Sequence, residues 1–292
     1  MSLLQAIVMG IIQGMTEFLP VSSSGHLALF KILFGVETDT GILFDVLLHV
    51  GTLMAICVVY YKDIWRLVVE GYCILRDSSV NAVIFFRNHI KKEEEPYRRV
   101  INSGYRKFVM LLIVSTIPTG VIGFFGRDVV EMASEILLVP GICLIVTAIL
   151  LLVADRVQDG GKLPKGATYT SAFGVGIAQG IATLPGISRS GATITACLLS
   201  GYQRNFAVKY SFLMSIPAIL GALVLEMEDL TRVSAAPTEI LYYIIGMLIA
   251  MGVGYVCIKT MLVIVRKKKF TGFAIYCLFV GALSIGGYFY MA

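Results

Sequence analysis

The sequence predicts an all-α polytopic membrane protein: an inverted-topology repeat with six spanning helices and two re-entrant helix-turn-helix hairpins. Three observations predict it. Hydrophobic residues make up 57% of the 292 and the mean hydropathy is +0.84, against roughly 45–50% apolar residues in soluble domains. Uncharged runs of membrane length recur along the chain. A polar break between two short apolar segments also occurs twice, in the same order of residues.

In chain order, Met1 opens without a basic stretch and Glu17 interrupts the first apolar run, so no removable signal segment is expected. Residues 5–18 and Ser22 to Phe34 would each form a helix only about 20 Å long. Neither crosses roughly 30 Å of hydrocarbon, and the Leu19-Pro20-Val21-Ser22-Ser23-Ser24-Gly25 break separates them. Broken backbone at membrane depth is tolerated only inside protein or beside a wet cavity, which marks a re-entrant hairpin over 5–34. Residues 41–60 then span. The cytoplasmic loop 62–107 follows, rich in Arg76, Arg87, Lys91, Lys92, Arg98, Arg99, Arg106 and Lys107.

The uncharged runs Phe108 to Gly126 and Ile136 to Ala154 leave that loop and return to it. The link holding Asp155, Arg156, Lys162 and Lys165 is therefore placed on the basic side. A second hairpin spans 171–184 and 190–200, around Leu184-Pro185-Gly186-Ile187-Ser188-Arg189-Ser190-Gly191. Residues 206–226 lead to an acidic turn with Glu226, Glu228, Asp229 and Glu239, expected outside. Residues 240–265 come in, the Arg266-Lys267-Lys268-Lys269 run marks the inside, and 270–291 go out.

An offset of 166 aligns the two hairpins without a gap. Ala6, Gly10, Ile11, Gln13, Gly14, Ser22, Ser24, Gly25 and Gly35 fall on identical residues at 172, 176, 177, 179, 180, 188, 190, 191 and 201. Apolar bias alone would not match Gln and Ser. The offset also lays Phe44-Asp45-Val46-Leu47 on Tyr210-Ser211-Phe212-Leu213, so one membrane domain is read as repeat one, about 1–154, and repeat two, about 168–292. Charge threads the copies in opposite directions. Inverted repeats with broken helices bring their breaks together near the midplane, where free helix N-termini suit an anion.

Composition narrows the chemistry. The six cysteines are scattered in apolar stretches with no ligand spacing and read as packing residues. The net charge of +5 is read by location, in the Arg76 to Lys107 segment and the Arg266 to Lys269 run, so no nucleic-acid partner is implied. At the breaks lie Glu17, His26 and Arg189, each costing at least ~2.5–3.5 kcal/mol at a helix centre on insertion scales. Serine and glycine alone would read as helix-contact residues; their duplication around ionisable groups points to a site.

Arg189 has the planar fork that grips phosphate oxygens. Ser22, Ser24, Gly25, Ser188, Ser190 and Gly191 let backbone N–H groups approach an anion, with Thr193 and Gln179 alongside. Gln13 and Glu17 share a helical face and offer oxygen ligands to a divalent cation. Ser23 or Ser22 is placed to attack phosphorus, with His26 three or four residues on to move the proton. Asp45, His49 and Lys209 fit packing or gating as well as chemistry, and His89 is assigned nothing.

Gln13-x-x-x-Glu17 with Pro20-Val21-Ser22-Ser23-Ser24-Gly25-His26, and Pro185-Gly186-Ile187-Ser188-Arg189-Ser190-Gly191-Ala192-Thr193, resemble the two signature motifs of the bacterial undecaprenyl-diphosphatases. The resemblance runs over nearly the whole chain, through Phe273-Ala274-Ile275-Tyr276. It implies hydrolysis of undecaprenyl diphosphate to the monophosphate carrier and inorganic phosphate, supported by Mg²⁺ or Ca²⁺. A location in the bacterial plasma membrane, with the cleft facing outward, is implied too, and a homodimer is compatible with it. By motif position, Glu17 is the essential acid, His26 a catalytic partner, Arg189 the phosphate clamp and Ser23 a candidate nucleophile, with activated water as the other. Gln13 stands where some members carry Glu. Inverted repeats also characterise alternating-access carriers, so a polyprenyl-phosphate flippase or transporter is the alternative reading.

Overall fold

The protein is described here from a computed structural model covering residues 1–34, 41–92, 94–230, 236–267 and 269–291. Twelve α-helices and one short 3₁₀ turn are described, with no strand among these residues. Gly35, the repeat partner of Gly201, and Lys268 of the basic run lie outside them.

The first hairpin is α1 (Leu3–Phe18) and α2 (Ser23–Phe34). α1 opens on a capping box, in which the Gln5 N–H donates to Ser2 Oγ at 3.2 Å and the Ser2 N–H donates to Gln5 Oε1 at 2.8 Å. It ends where Pro20 cannot continue the ladder. α3 (Gly41–Val59) follows, then α4 (Tyr61–Lys91), α5 (Gly104–Phe125), α6 (Arg127–Glu135) and α7 (Leu138–Arg156). The second hairpin is α8 (Tyr169–Ile181) and α9 (Arg189–Leu199), leading to α10 (Arg204–Leu230), α11 (Pro237–Arg266) and α12 (Thr271–Met291). Thr168 caps α8, its Oγ1 accepting from the Ser171 N–H at 3.1 Å, at the place the offset assigns to Ser2.

Helices α5, α7, α10, α11 and α12 are long and apolar enough to cross a membrane. α3 makes the sixth as an apolar helix of 19 residues, about 28 Å long. It meets α4 at an 84° bend. Two boundaries depart from expectation. The charged segment from 62 is not a loop: most of it is the 31-residue helix α4. Residues 226–229 continue α10 to Leu230 instead of forming a turn.

The hairpins pack against long helices at glycine contacts that match across the offset. α1 lies along α11 and α8 along α5. A Cβ on Gly10 would stand 2.5 Å from the Gly246 carbonyl oxygen, and one on Gly176 would stand 2.2 Å from that of Ser115. Only glycine permits those approaches. The hairpins also start at opposite ends of the bundle. The Met1 amine pairs with Glu239, at the start of α11, at 3.2 Å. The start of α8 carries Tyr169, whose ring takes Lys107, at the start of α5, 3.3 Å from its centroid. That second end holds Arg266 as well, which donates to Asn205 Oδ1 at 2.8 Å.

Candidate functional site

The two breaks meet inside the bundle. A Cβ on Gly25 would lie 3.1 Å from Gly186 Cα, and one on Gly191 3.4 Å from Pro20 Cβ. Each break is built alike. The Gly25 N–H donates to Ser22 Oγ at 3.3 Å and the Gly191 N–H donates to Ser188 Oγ at 3.1 Å. Ser22 Oγ lies 3.4 Å from Ser24 Oγ, and Ser188 Oγ 3.3 Å from Ser190 Oγ. Ser22 and Ser188 therefore cap α2 and α9 beside the junction of the hairpins. Ser22 adopts φ +71, a left-handed conformation uncommon for a residue with a Cβ and found disproportionately at functional sites.

Between the breaks lies a cavity of about 220 Å³ lined by Glu17, Ser22, Ser23, Ser24, Gln179, Ser188 and Arg189, all expected at a site. Thr16, His49, Thr119 and Thr183 join them, and Ala218, Ile219, Ala222 and Leu223 of α10 give it an apolar wall. Pro118 and Pro217 lie inside α5 and α10, next to the lining residues Thr119 and Ala218.

Glu17 is the hub. Its side chain is 2% exposed against 24% for Arg189. Arg189 Nη2 donates to Oε1, while Oε2 accepts from Ser23 Oγ at 2.7 Å and from Gln13 Nε2 at 3.1 Å. One buried carboxylate thus holds a guanidinium, a hydroxyl and an amide. Breaking such a cluster at one member leaves a charge without compensation. The offset explains which residues differ between the halves: Thr183 occupies the place of Glu17, and Arg189 the place of Ser23. The shared residues build the breaks; the unlike ones supply opposite charges.

Other expected residues are placed differently. His26 does not line the cavity. Its Nδ1 contacts the Ser22 carbonyl oxygen at 2.7 Å and its Nε2 contacts the Tyr276 hydroxyl at 2.7 Å. The two rings lie nearly parallel, 5.5 Å between centroids. The group within reach of the Ser23 proton is Glu17. Thr193 is turned from the cavity, its hydroxyl 2.6 Å from Ser211 Oγ. Ser190 lines a small recess behind Arg189 with Ser211 and Ser215. Gln13 sits behind Glu17, with its Oε1 buried and unpartnered, and Gln179 Oε1 is likewise unpartnered. Asp45 pairs with Lys31, and Lys209 with Asp63 at 2.9 Å, both as ion pairs between helices.

Three polar lining residues escaped sequence reasoning, while His49, weighed there between packing and chemistry, lines the cavity. Thr16 and Thr119 are single polar side chains on apolar helices, indistinguishable there from contact residues. Thr183 had a signal: the offset puts it on Glu17.

Apolar helices of membrane length around two broken hairpins, which gather a carboxylate, a guanidinium and hydroxyls in a partly apolar chamber, define a polytopic all-α membrane protein. The comparisons give that class a family. The family model described as bacitracin resistance protein BacA matches residues 6–283, and the chain belongs to that family. It is 40% identical to the undecaprenyl-diphosphatase of Alkaliphilus metalliredigens and 38% identical to that of Methanosphaera stadtmanae, each alignment covering 98% of both chains. The undecaprenyl-diphosphatase of Halothermothrix orenii is 40% identical, again over 98% of both.

Proposed function

We propose that the protein hydrolyses undecaprenyl diphosphate, the activity by which its relatives are named, and that the Glu17–Ser23–Arg189 cluster carries the reaction. The observation supporting this is that both Glu17 oxygens are engaged by those two partners, with Ser23 Oγ at 2.7 Å.

The diphosphate would sit in the cavity against the cap N–H groups of α2 and α9, with its chain passing between helices along the apolar wall. Phosphate oxygens compete with Glu17 for the Arg189 fork, which binds phosphate bidentately. Once Arg189 shifts to the substrate, Glu17 Oε1 is released while Oε2 remains the acceptor for the Ser23 proton. Ser23 Oγ attacks the terminal phosphorus as its proton passes to Glu17. The bond from phosphorus to the bridging oxygen breaks, and undecaprenyl monophosphate leaves. Water then attacks the phosphoserine, inorganic phosphate departs, and Ser23 recovers a proton. Arg189 supplies charge to the phosphoryl oxygens at each transfer, the largest kind of contribution a preorganised site makes.

A divalent cation fits one side of this cluster. Among the described residues no three His, Cys, Asp or Glu side chains form a metal cage, but the unpartnered Gln13 Oε1 beside Glu17 offers oxygen donors. Mg²⁺ is commonly held by one or two carboxylates plus substrate phosphates. Glu17 and Gln13 would hold the ion, which would neutralise charge on the diphosphate.

The halves are read as an inverted duplication, supported by the matched caps, the matched glycine contacts and hairpins that start at opposite ends. By the positive-inside rule the end holding α4 and Arg266 is cytoplasmic. The cavity wall from α10 lies in that helix's distal half, which supports an extracytoplasmic opening. The same inverted architecture favours a lipid carrier as a second reading. One experiment separates them: turnover of labelled undecaprenyl diphosphate by purified protein in detergent, where no transport is possible. Hydrolysis is expected, with label trapped on Ser23 by acid quench and lost in Ser23→Ala. Hydrolysis without a phosphoserine means that water is the nucleophile, and no hydrolysis by folded protein overturns the enzymatic reading.

A further inference from the structure

The helix α4 presents its faces in an unusual sense. Asp63, Glu70, Asp77, Asn81 and Asn88 recur along one side at helical spacing and turn toward the protein's own chain. Asp63 accepts from Tyr105 Oη at 2.7 Å and pairs with Lys209 at 2.9 Å. Arg106 bridges Glu70 at 3.0 Å and Asp77 at 2.7 Å. Asn81 and Asn88 each clamp the returning segment in both directions. Asn81 Nδ2 donates to the Arg98 carbonyl at 2.8 Å and its Oδ1 accepts from the Arg98 N–H at 2.7 Å. Asn88 does the same with Glu95 at 3.0 and 3.1 Å. The opposite stripe, with Tyr61, Trp65, Tyr72, Leu75, Phe86 and Ile90, follows the same period and faces outward; Trp65 is 71% exposed and Ile90 77%.

Three features say what covers the stripe. α4 leaves the end of the spanning helix α3 at 84°, so it runs along the plane of the bilayer surface for about 46 Å. The returning segment on its polar face exposes Glu94, Arg98 and Arg99, which must be in water, so the opposite face points to lipid. Lys62, Arg66, Arg76, Arg87 and Lys91 fall along one flank of the stripe, Arg66 also lying over the Tyr105 ring, Arg76 pairing with Asp77 at 3.1 Å and Arg87 with Glu95 at 2.9 Å; an in-plane helix would set this flank at the depth of lipid headgroups. Tyr and Trp are the side chains enriched at that depth.

We propose that α4 is an in-plane helix that seats its Tyr61–Ile90 stripe in the headgroup–acyl boundary of the membrane and draws anionic lipid to its basic flank. The lipid-facing surface of the bundle thereby continues around its basic end, independently of any reading of the cavity. Acidic lipid near this flank is enriched because each Lys or Arg near a membrane surface attracts it.

Trp65 is the single tryptophan of the chain, so its fluorescence reports this helix alone. The full protein is reconstituted in phosphatidylcholine–phosphatidylglycerol vesicles, with bromine placed near the headgroup end of the acyl chains. Strong quenching by the brominated lipid and weak quenching by aqueous acrylamide are expected. Bromine on phosphatidylglycerol should quench about twofold more than the same fraction on phosphatidylcholine, and the preference should fall in a Lys62→Gln/Arg76→Gln/Lys91→Gln variant. Full access to acrylamide with no lipid quenching overturns the proposal. So does protection from both quenchers, which would mean that a second copy covers the stripe. Equal quenching by the two brominated lipids overturns the anionic preference.

Discussion

Replacing Glu17 with Gln keeps the shape of the side chain and removes its charge. Arg189 then faces an amide, and Ser23 loses its carboxylate acceptor at 2.7 Å. Two costs follow, and they separate. Stranding one partner of a fully buried ion pair costs about 3–5 kcal/mol. Here Arg189 is 24% exposed to the cavity, so solvent there reduces the loss to roughly 1–3 kcal/mol. Loss of a positioned general base lowers turnover about 10²–10⁴-fold, or ~3–5.5 kcal/mol. Adding Arg189→Met to Glu17→Gln removes both charges. If the pair were only structural, the double variant would recover stability and phosphate release together. The proposed chemistry requires recovery of stability alone. The assay is phosphate release from undecaprenyl diphosphate beside thermal unfolding in the same detergent. A well-folded Glu17→Gln protein that keeps more than about a tenth of wild-type turnover would refute the assignment.

Gly176→Ala and Gly10→Ala should each lower thermal stability by about 1–3 kcal/mol, because the added Cβ would meet a carbonyl oxygen at 2.2 and 2.5 Å. Gly174→Ala, with open space around it, should not, and equal melting temperatures for all three would contradict the close helix approach. His26→Gln and Tyr276→Phe are expected to lower turnover by similar factors and to combine less than additively, since the two groups bond each other at 2.7 Å; full additivity in a double-mutant cycle would separate them. The Arg106 guanidinium beside Asp77 holds its carboxyl below the usual carboxylate range, helped by Arg76. A depressed native pKa gives stabilisation present at neutral pH and lost as pH falls through the native value. Acidification below about pH 4 should therefore expose the segment between α4 and α5 to pepsin, less steeply in Asp77→Asn, and identical cleavage profiles would count against the docking.

Most of the fold was legible because hydrocarbon imposes a simple rule: uncharged runs of sufficient length span. The hairpins were legible for the complementary reason, since Pro20, Pro185 and the surrounding serines cannot sit in unbroken lipid-facing helix. α4 was hidden by its charges, which make the segment look like a solvated loop. Its apolar residues return every three or four positions from Tyr61 to Ile90, but its polar face is turned inward, reversing the pattern of a soluble amphipathic helix. His26 misled for a geometric reason. Its spacing from Ser22 and Ser23 allows reach toward either hydroxyl, yet at the start of α2 its ring turns back to the carbonyl four residues earlier and across to α12. Sequence spacing fixes such local reach but not which distant helix supplies the partner.

The duplication proposed above would account for opposite charges meeting where lipid would exclude each alone. The two breaks give equivalent caps and equivalent close glycine contacts, so each half provides half of an anion cradle without any ionised side chain. Divergence then acts at two equivalent pairs: a carboxylate at 17 against Thr183, and a guanidinium at 189 against Ser23. Because those positions face each other across the junction, the two charged substitutions neutralise one another within the protein, while the remaining hydroxyls at Thr183 and Ser23 stay at the cavity wall. Glu17 is held there by Arg189, Ser23 and Gln13. In the proposed mechanism an anionic headgroup that takes over Arg189 would free Glu17 Oε1 as it binds, coupling substrate recognition to the adjacent serine.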